Sequence, residues 1–359
     1  KLTYIIIIVN MIKNQKGSLF ILLSILAGLI VVAAFAFIYI QKNIDESEAD
    51  VELLESSDLG LPCENIRKID GVCYEGDEPF TYAVMIDNHS WARPPFGLSQ
   101  ASLVYETIVE SPITRFLAIF VDNENIKQIG PVRSARPFYV DWVKEFNIPY
   151  LHVGGSNEAL DNLARTYNHD VNEFSKGQYF WRSNNRSAPH NTMTSNQNVV
   201  DVIEDNGWSR ANNFESWIFK LDASLEERGE YGVTVDHKTP LFFVKWEYNK
   251  EDNEYIRYQA GKVHADVDGE QIVAKNVVIM MTTGSVIDDY GRREVKTLGT
   301  GEAIVYQDGN KINGTWKRAD LSARTRFYDE QDNEIKFNAG PTWIEVAQNG
   351  LVNITDKYE

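Results

Sequence analysis

The sequence predicts an α/β N-terminal exported domain and a mainly antiparallel β (α+β) C-terminal domain, both behind one transmembrane helix. Three observations lead there. Residues 17–41 hold no charged side chain. Residues 79–236 alternate strand-like and helix-like apolar patterns, and residues 237–359 carry short apolar runs broken by Gly, Asp and Asn.

The first element is the apolar run Leu19–Ile40. Its 22 residues reach about 33 Å as a helix, enough to cross a hydrocarbon core of about 30 Å. Lys13 and Lys16 precede it, and the acidic run DESEADVELLE follows Lys42, so the short N-terminus is expected in the cytoplasm and the remainder outside. Ala34-Phe35-Ala36 resembles a signal-peptidase site, but the apolar run continues through Ile40, which favours an uncleaved anchor. Residues 1–43 are therefore read as a cytoplasmic tip and anchor. The expected localisation is the cell membrane, single-pass, with the C-terminal domains extracytoplasmic. Residues 44–78 carry 12 acidic and 2 basic side chains and read as a solvated spacer. Within it, Cys63 and Cys73 are the two cysteines of the chain, and in an oxidising compartment they most simply form one small disulfide loop.

Charge excludes some partners. With 52 acidic against 35 basic residues the chain carries a net −17, which argues against nucleic-acid binding. Residues 79–191 are nearly neutral and use seven Arg against three Lys. Arginine suits bidentate, partly buried anion contacts better than lysine does, so this bias points to the first domain.

That domain is expected over 79–236. Tyr82–Ile86 reads as a strand running into Asp87-Asn88. Leu103–Val109 and Arg115–Val121 read as a hairpin around Ser111-Pro112. Phe138–Phe146 and Glu158–Tyr167 have helical apolar spacing, with a buried-type strand at Pro149–Val153 between them. A last helix over Asn196–Asp205 is stopped by Gly207. From residue 237 the expected strands are Leu241–Tyr248, Tyr255–Tyr258, Ile272–Thr282, Glu302–Tyr306, Thr325–Tyr328 and Trp343–Val346.

The chemistry-bearing residues cluster in loops. The segment IGPVRSARP (129–137) places Arg133 and Arg136 between a strand and a helix start, where free backbone N–H groups and the helix dipole favour an anion. DNHSWARP (87–94), TRF (114–116), HVGGS (152–156) and WRSNNRSAPHN (181–191) add Asp87, Asn88, Arg93, Arg115, His152, Arg182, His190 and Asn191. If these loops converge at one sheet end, they line a cleft. Glu106 and Glu110 lie four apart on one strand and share a face, where pairing with Arg115 is the simpler role. His152, at a strand end, reads more readily as a rim or core histidine. Nucleophile elbow, phosphate loop, dinucleotide fingerprint and zinc spacing are all unmatched, so no catalytic residue, cofactor or metal is assigned.

Over residues 79–347 the motifs MIDNHSWARPPFGLSQASLVYETIVESPITRFLAIF, IGPVRSARP, HVGGS, RSAPHN, GTGEAIVYQDG and GPTWIEV resemble the YerB family of bacterial envelope lipoproteins. The resemblance implies two domains of unknown function on the outer face of the cytoplasmic membrane. The matching motif positions are Asp87, Asn88, Arg93, Glu106, Arg115, Arg133, Arg136, His190 and Asn191. The chain departs from the family in its anchor, with a membrane helix in place of a lipobox cysteine. The order of strand, hairpin and arginine turn also looks somewhat like the exported LytR-CpsA-Psr phosphotransferases, as a fold-level analogy. Two functions follow as expectations. One is a binding or scaffold module anchored by its N-terminal helix and recognising an anionic ligand or cell-wall protein partner. The other is an envelope enzyme acting on a phosphorylated or peptidoglycan-derived substrate.

Overall fold

The structure is a computed structural model and describes residues 63–110, 112–122 and 126–356. The expected cytoplasmic tip, membrane helix and first part of the spacer lie outside these residues. Among the described residues no helix is long and apolar enough to cross a membrane.

Sixteen strands form two sheets. In chain order they are β1 (Thr81–Asp87), β2 (Leu103–Glu110), β3 (Ile113–Val121), β4 (Tyr150–His152), β5 (Asp170–Asn172), β6 (Val233–Asp236), β7 (Phe243–Asn249) and β8 (Glu254–Gln259). They continue as β9 (Lys262–Val263), β10 (Val273–Ala274), β11 (Asn276–Thr282), β12 (Gly299–Gln307), β13 (Asn310–Arg318), β14 (Arg326–Asp329), β15 (Thr342–Gln348) and β16 (Asn353–Thr355). The helices are α1 (Pro137–Val143), α2 (Asn157–Thr166) and α3 (Asn196–Asn206). Helix α3 ends where expected, at Gly207, whose φ of 63° is left-handed and costs glycine little.

The larger sheet has ten strands in the order β14-β13-β12-β11-β15-β2-β3-β1-β4-β5. Five of them precede residue 237 and five follow it. The two halves join at a parallel pairing of β2 with β15, Leu103 opposite Thr342 and Glu106 opposite Glu345. The α/β reading of the first half is therefore corrected. The protein is mostly β with few helices, because its strands are completed by hydrogen bonding to strands from the second half. The second half is largely antiparallel, as expected, apart from β11 and β15, which run parallel. The smaller sheet runs β9-β8-β7-β6-β16, with β10 also on β8.

Side-chain alternation along β1 sorts two cores. Ala83 and Met85 face a core containing Phe138, Tyr139, Trp142, Ala159 and Leu163, contributed by α1 and α2. Tyr82, Val84 and Ile86 face the other core, with Val199 and Val202 of α3 and Val244 and Trp246 of the smaller sheet. The molecule is thus layered, with helices on one face of the large sheet and a second sheet plus one helix on the other.

Cys63 and Cys73 are bonded, with Cα atoms 5.9 Å apart. Their loop is not part of a solvated spacer. Ile69 is buried in the helix-side core, Arg67 and Asp70 form a buried ion pair, and the Asp70 carbonyl accepts from Gly340 N–H. The acidic composition of residues 44–78 hid this, since the apolar contacts come from two isoleucines, Ile66 and Ile69.

Strand β13 was not expected. Its sequence NKINGTWKR lacks a clean alternation, and Gly314 reads as a breaker. Gly314 is required by packing, since a Cβ there would lie 1.8 Å from the Tyr328 carbonyl oxygen.

Candidate functional site

β1 ends in buried Asp87 and runs into buried Asn88, which leave on opposite faces of the large sheet, and each begins a cluster. Asp87 follows Met85 toward the helix side, while Asn88 follows Ile86 toward the smaller sheet.

On the helix side, Asp87 receives His190 Nδ1 at 2.6 Å and the His89 backbone N–H at 2.9 Å, and Arg133 Nε lies 3.1 Å from the same carboxylate oxygen as His190. Burial raises the Asp87 pKa, but Arg133, Arg115 and the two hydrogen bonds outweigh it, so its carboxyl sits below the ordinary value. An ionised Asp87 accepts, so His190 donates from Nδ1 and turns Nε2 outward. That Nε2 has no protein partner among the described residues and is not sealed from solvent. His89 stacks on His190 with ring centroids 4.6 Å apart. Its Nδ1 accepts the Trp91 N–H at 3.2 Å, which leaves Nε2–H as a donor. Burial above all lowers the His89 pKa and keeps the ring neutral near pH 7. Arg133 remains 22% exposed.

The other arginines of this region hold backbone or a single carboxylate. Arg115 donates to the Ser134 carbonyl at 2.7 Å and lies 3.7 Å from Glu110. Arg136 pairs with Glu110 and donates to the Ala135 carbonyl. Arg93 donates to the carbonyl and side chain of Asn88 and reaches the Leu241 carbonyl at 2.6 Å. Burial and the nearby Arg257 lower its pKa to about 10. Arg186 caps the carbonyls of Ala92 and Pro94. Arg115, Arg133, Arg136 and Arg186 are thus four guanidiniums against the two carboxylates Asp87 and Glu110.

The expectation that Arg133 and Arg136 jointly clamp one anion is corrected. The chain runs extended between bridges at Val132 and Ala135, so side chains three apart leave on opposite sides. Arg133 goes to Asp87 and Arg136 to Glu110. At the helix start Pro137, in the first position, has no N–H, and the Tyr139 and Val140 N–H groups already donate to the Arg136 carbonyl. Glu106 and Glu110 do not share a face either, since the β2–β3 register shifts between Ile108 and Glu110.

Other candidates separate. His152 is wholly buried, bonded to the Gly154 carbonyl at 2.7 Å and to Asp170 at 2.6 Å, and holds β4 to its neighbours. Arg182 pairs with Glu173 at 2.9 Å and contacts Asn191 at 3.3 Å, and Asn191 donates to the Ser183 carbonyl.

On the opposite face Asn88 donates to Glu106 at 3.2 Å and Thr114 at 2.7 Å. Glu106 also accepts from Thr114 at 2.7 Å, Arg257 at 2.6 Å and Trp343 at 3.2 Å, so both oxygens hold two donors. Glu345, its cross-strand neighbour, accepts from Trp246 at 2.9 Å, and its other oxygen has no partner. Burial, then the Glu106 charge, pushes Glu345 up to about 8. His237 brings a ligand atom within 4.8 Å of both carboxylates, a spacing that suits a metal ion. The donor set does not fit one well. Glu106 has no lone pair left, and Arg257 already occupies the cationic position. A proton on Glu345 balances the same charges.

Sequence reasoning missed His89, Trp91, Arg257, His237 and Glu345. His89 and Trp91 stood inside the flagged DNHSWARP segment. Glu345 in TWIEV and Arg257 in YIRYQ were charged residues in strand patterns, which is a readable signal of buried pairing.

Comparison with known proteins agrees with this architecture. Residues 73–209 match the family described as "Protein of unknown function (DUF3048) N-terminal domain", and residues 233–344 match its C-terminal domain. The "Putative lipoprotein YerB" of Bacillus subtilis (strain 168) is 31% identical over 272 residues, covering 74% of this chain and 80% of that protein. The chain belongs to the YerB family. The crystal structure of YerB protein from Bacillus subtilis superposes with a TM-score of 0.73 at 29% identity, over 81% of this chain and 100% of that one. The family likeness thus spans both halves of the ten-stranded sheet, including its β2–β15 seam.

Proposed function

We propose that this protein is a membrane-anchored, extracytoplasmic envelope protein that binds an anionic envelope ligand at Asp87, Arg133 and His190. The observation that carries the reading is His190, locked through Nδ1 to Asp87 while Nε2 stays open beside the half-open Arg133. The surplus of guanidiniums in a chain of net −17 makes this end of the sheet locally cationic, which favours an anion there. The similarity to a putative lipoprotein supports an envelope location, and the run Leu19–Ile40 supports single-pass anchoring by a helix.

A second reading has its own support. A His held by an Asp with a free Nε2 acceptor is the arrangement of a general base, so an envelope enzyme on a phosphorylated or peptidoglycan-derived substrate stands beside the binding module. Titration of the full-length protein in detergent with inorganic phosphate tests the first reading. Arg133→Ala should weaken phosphate binding by about tenfold or more, the loss of a charge-assisted hydrogen bond. Identical phosphate binding by wild type and variant would reject Arg133 as the anion site.

A further inference from the structure

We infer that the ligand is a saccharide bearing the anionic group, its ring laid against Trp91. This rests on the anion-binding reading and deepens it. Trp91 is 76% exposed, although every other tryptophan of the described residues is far less so. Its ring plane stands perpendicular to those of His89 at 5.4 Å and His190 at 6.1 Å between centroids, so the indole borders the open histidine pair while most of its surface faces solvent. An exposed indole carrying no packing load is a stacking surface, and the C–H face of a sugar ring is a matching partner.

The polar groups point the same way. A bare carboxylate presents acceptors and calls for donors alone. This site presents a donor on His89 Nε2–H and the open Nε2 of His190, on rings stacked 4.6 Å apart, beside the donors of Arg133. A hydroxyl both donates and accepts, so a pair of sugar hydroxyls satisfies both histidines whichever way their Nε2 atoms are protonated. The guanidinium takes the charge, the histidines take hydroxyls and the indole takes the ring.

The experiment is calorimetric titration of the full-length protein with glucose 1-phosphate, N-acetylglucosamine 1-phosphate and glucuronate, against inorganic phosphate and acetate. At least one sugar is expected to bind tenfold or more tightly than its bare anion. Trp91→Ala should lose about tenfold for that sugar and leave inorganic phosphate unchanged, while Trp91→Phe keeps most of the affinity. Arg133→Ala should weaken both classes. If no sugar exceeds its bare anion, or if Trp91→Ala weakens inorganic phosphate equally, the saccharide inference fails while the anion site stands. If inorganic phosphate binding does not respond to Arg133→Ala, the anion reading itself fails.

Discussion

Asp87 and Glu106 sit about the end of the same sheet, each with an arginine and a nearby histidine, yet they do opposite things. Around Glu106 every oxygen lone pair is taken, and Arg257 and Glu106 are both wholly buried. Around Asp87 the carboxylate is similarly engaged, but its partners are not, since His190 Nε2 and part of Arg133 remain open. The same residue types build a closed structural pin on one face and an open cluster on the other. What separates them is the layer behind. The inner cluster is covered by the smaller sheet through Trp246 and Arg257, while His89, Arg133 and His190 of the outer one come from segments outside both sheets.

The contrast can be broken most forcefully at Arg257. Arg257→Ala leaves Glu106 buried without its cation and should cost about 3–5 kcal/mol, read by denaturant unfolding. A cost below about 1 kcal/mol would show that water reaches the inner cluster and that it is not sealed.

Next in size is the pH response of Glu345. Its folded pKa, about 8, lies above the unfolded value near 4.5, so the folded state holds the proton more tightly. Its contribution to stability is complete below about pH 4.5 and falls as pH rises toward 8, by at most about 1.4 kcal/mol per pH unit. Glu345→Gln keeps the shape without the titration. The stability difference, wild type minus variant, should therefore decline across this window, and a flat difference would contradict a protonated Glu345.

Asp87 should behave in the opposite sense. Its pKa is lowered on folding, so it stabilises above its unfolded value and loses that contribution as pH falls through the acid range. Asp87→Asn should cost about 1–3 kcal/mol at pH 7 and progressively less below pH 4. An equal cost at pH 7 and pH 2.5 would mean that shape, not charge, holds His190.

The smallest stability effect is expected at Arg133. Arg133→Lys keeps the charge and loses the planar fork, so stability should change by less than about 1 kcal/mol while anion affinity falls. A larger loss of stability than of binding would move Arg133 into the structural class with Arg115 and Arg136.

Much of the local structure was legible. The hairpin of β2 and β3, the strand into Asp87, helix α3 with its glycine stop and most strands of the second half follow from apolar period and turn residues. Asp87, Arg133 and His190 were named from loop composition, because a loop Arg, His or Asp beside Gly or Pro has little packing reason to be there. Their partition was not legible. Whether Arg133 and Arg136 cooperate depends on an extended backbone, and whether Glu106 and Glu110 share a face depends on a register shift that local pattern does not reveal.

The sequence by itself determined where strands and helices form, the pairing chemistry available and the loops that carry it. Those properties are set by side-chain period, turn preference and charge within a few residues. Tertiary structure alone decided that the halves share one sheet through β2 and β15, and that Asp87 meets His190 across 103 residues while Glu106 meets Arg257 across 151. It also decided which cluster is covered. The reason is physical: desolvation and hydrogen-bond saturation depend on what packs over a group, and strand order, which settles that, is a property of contacts distant in the chain.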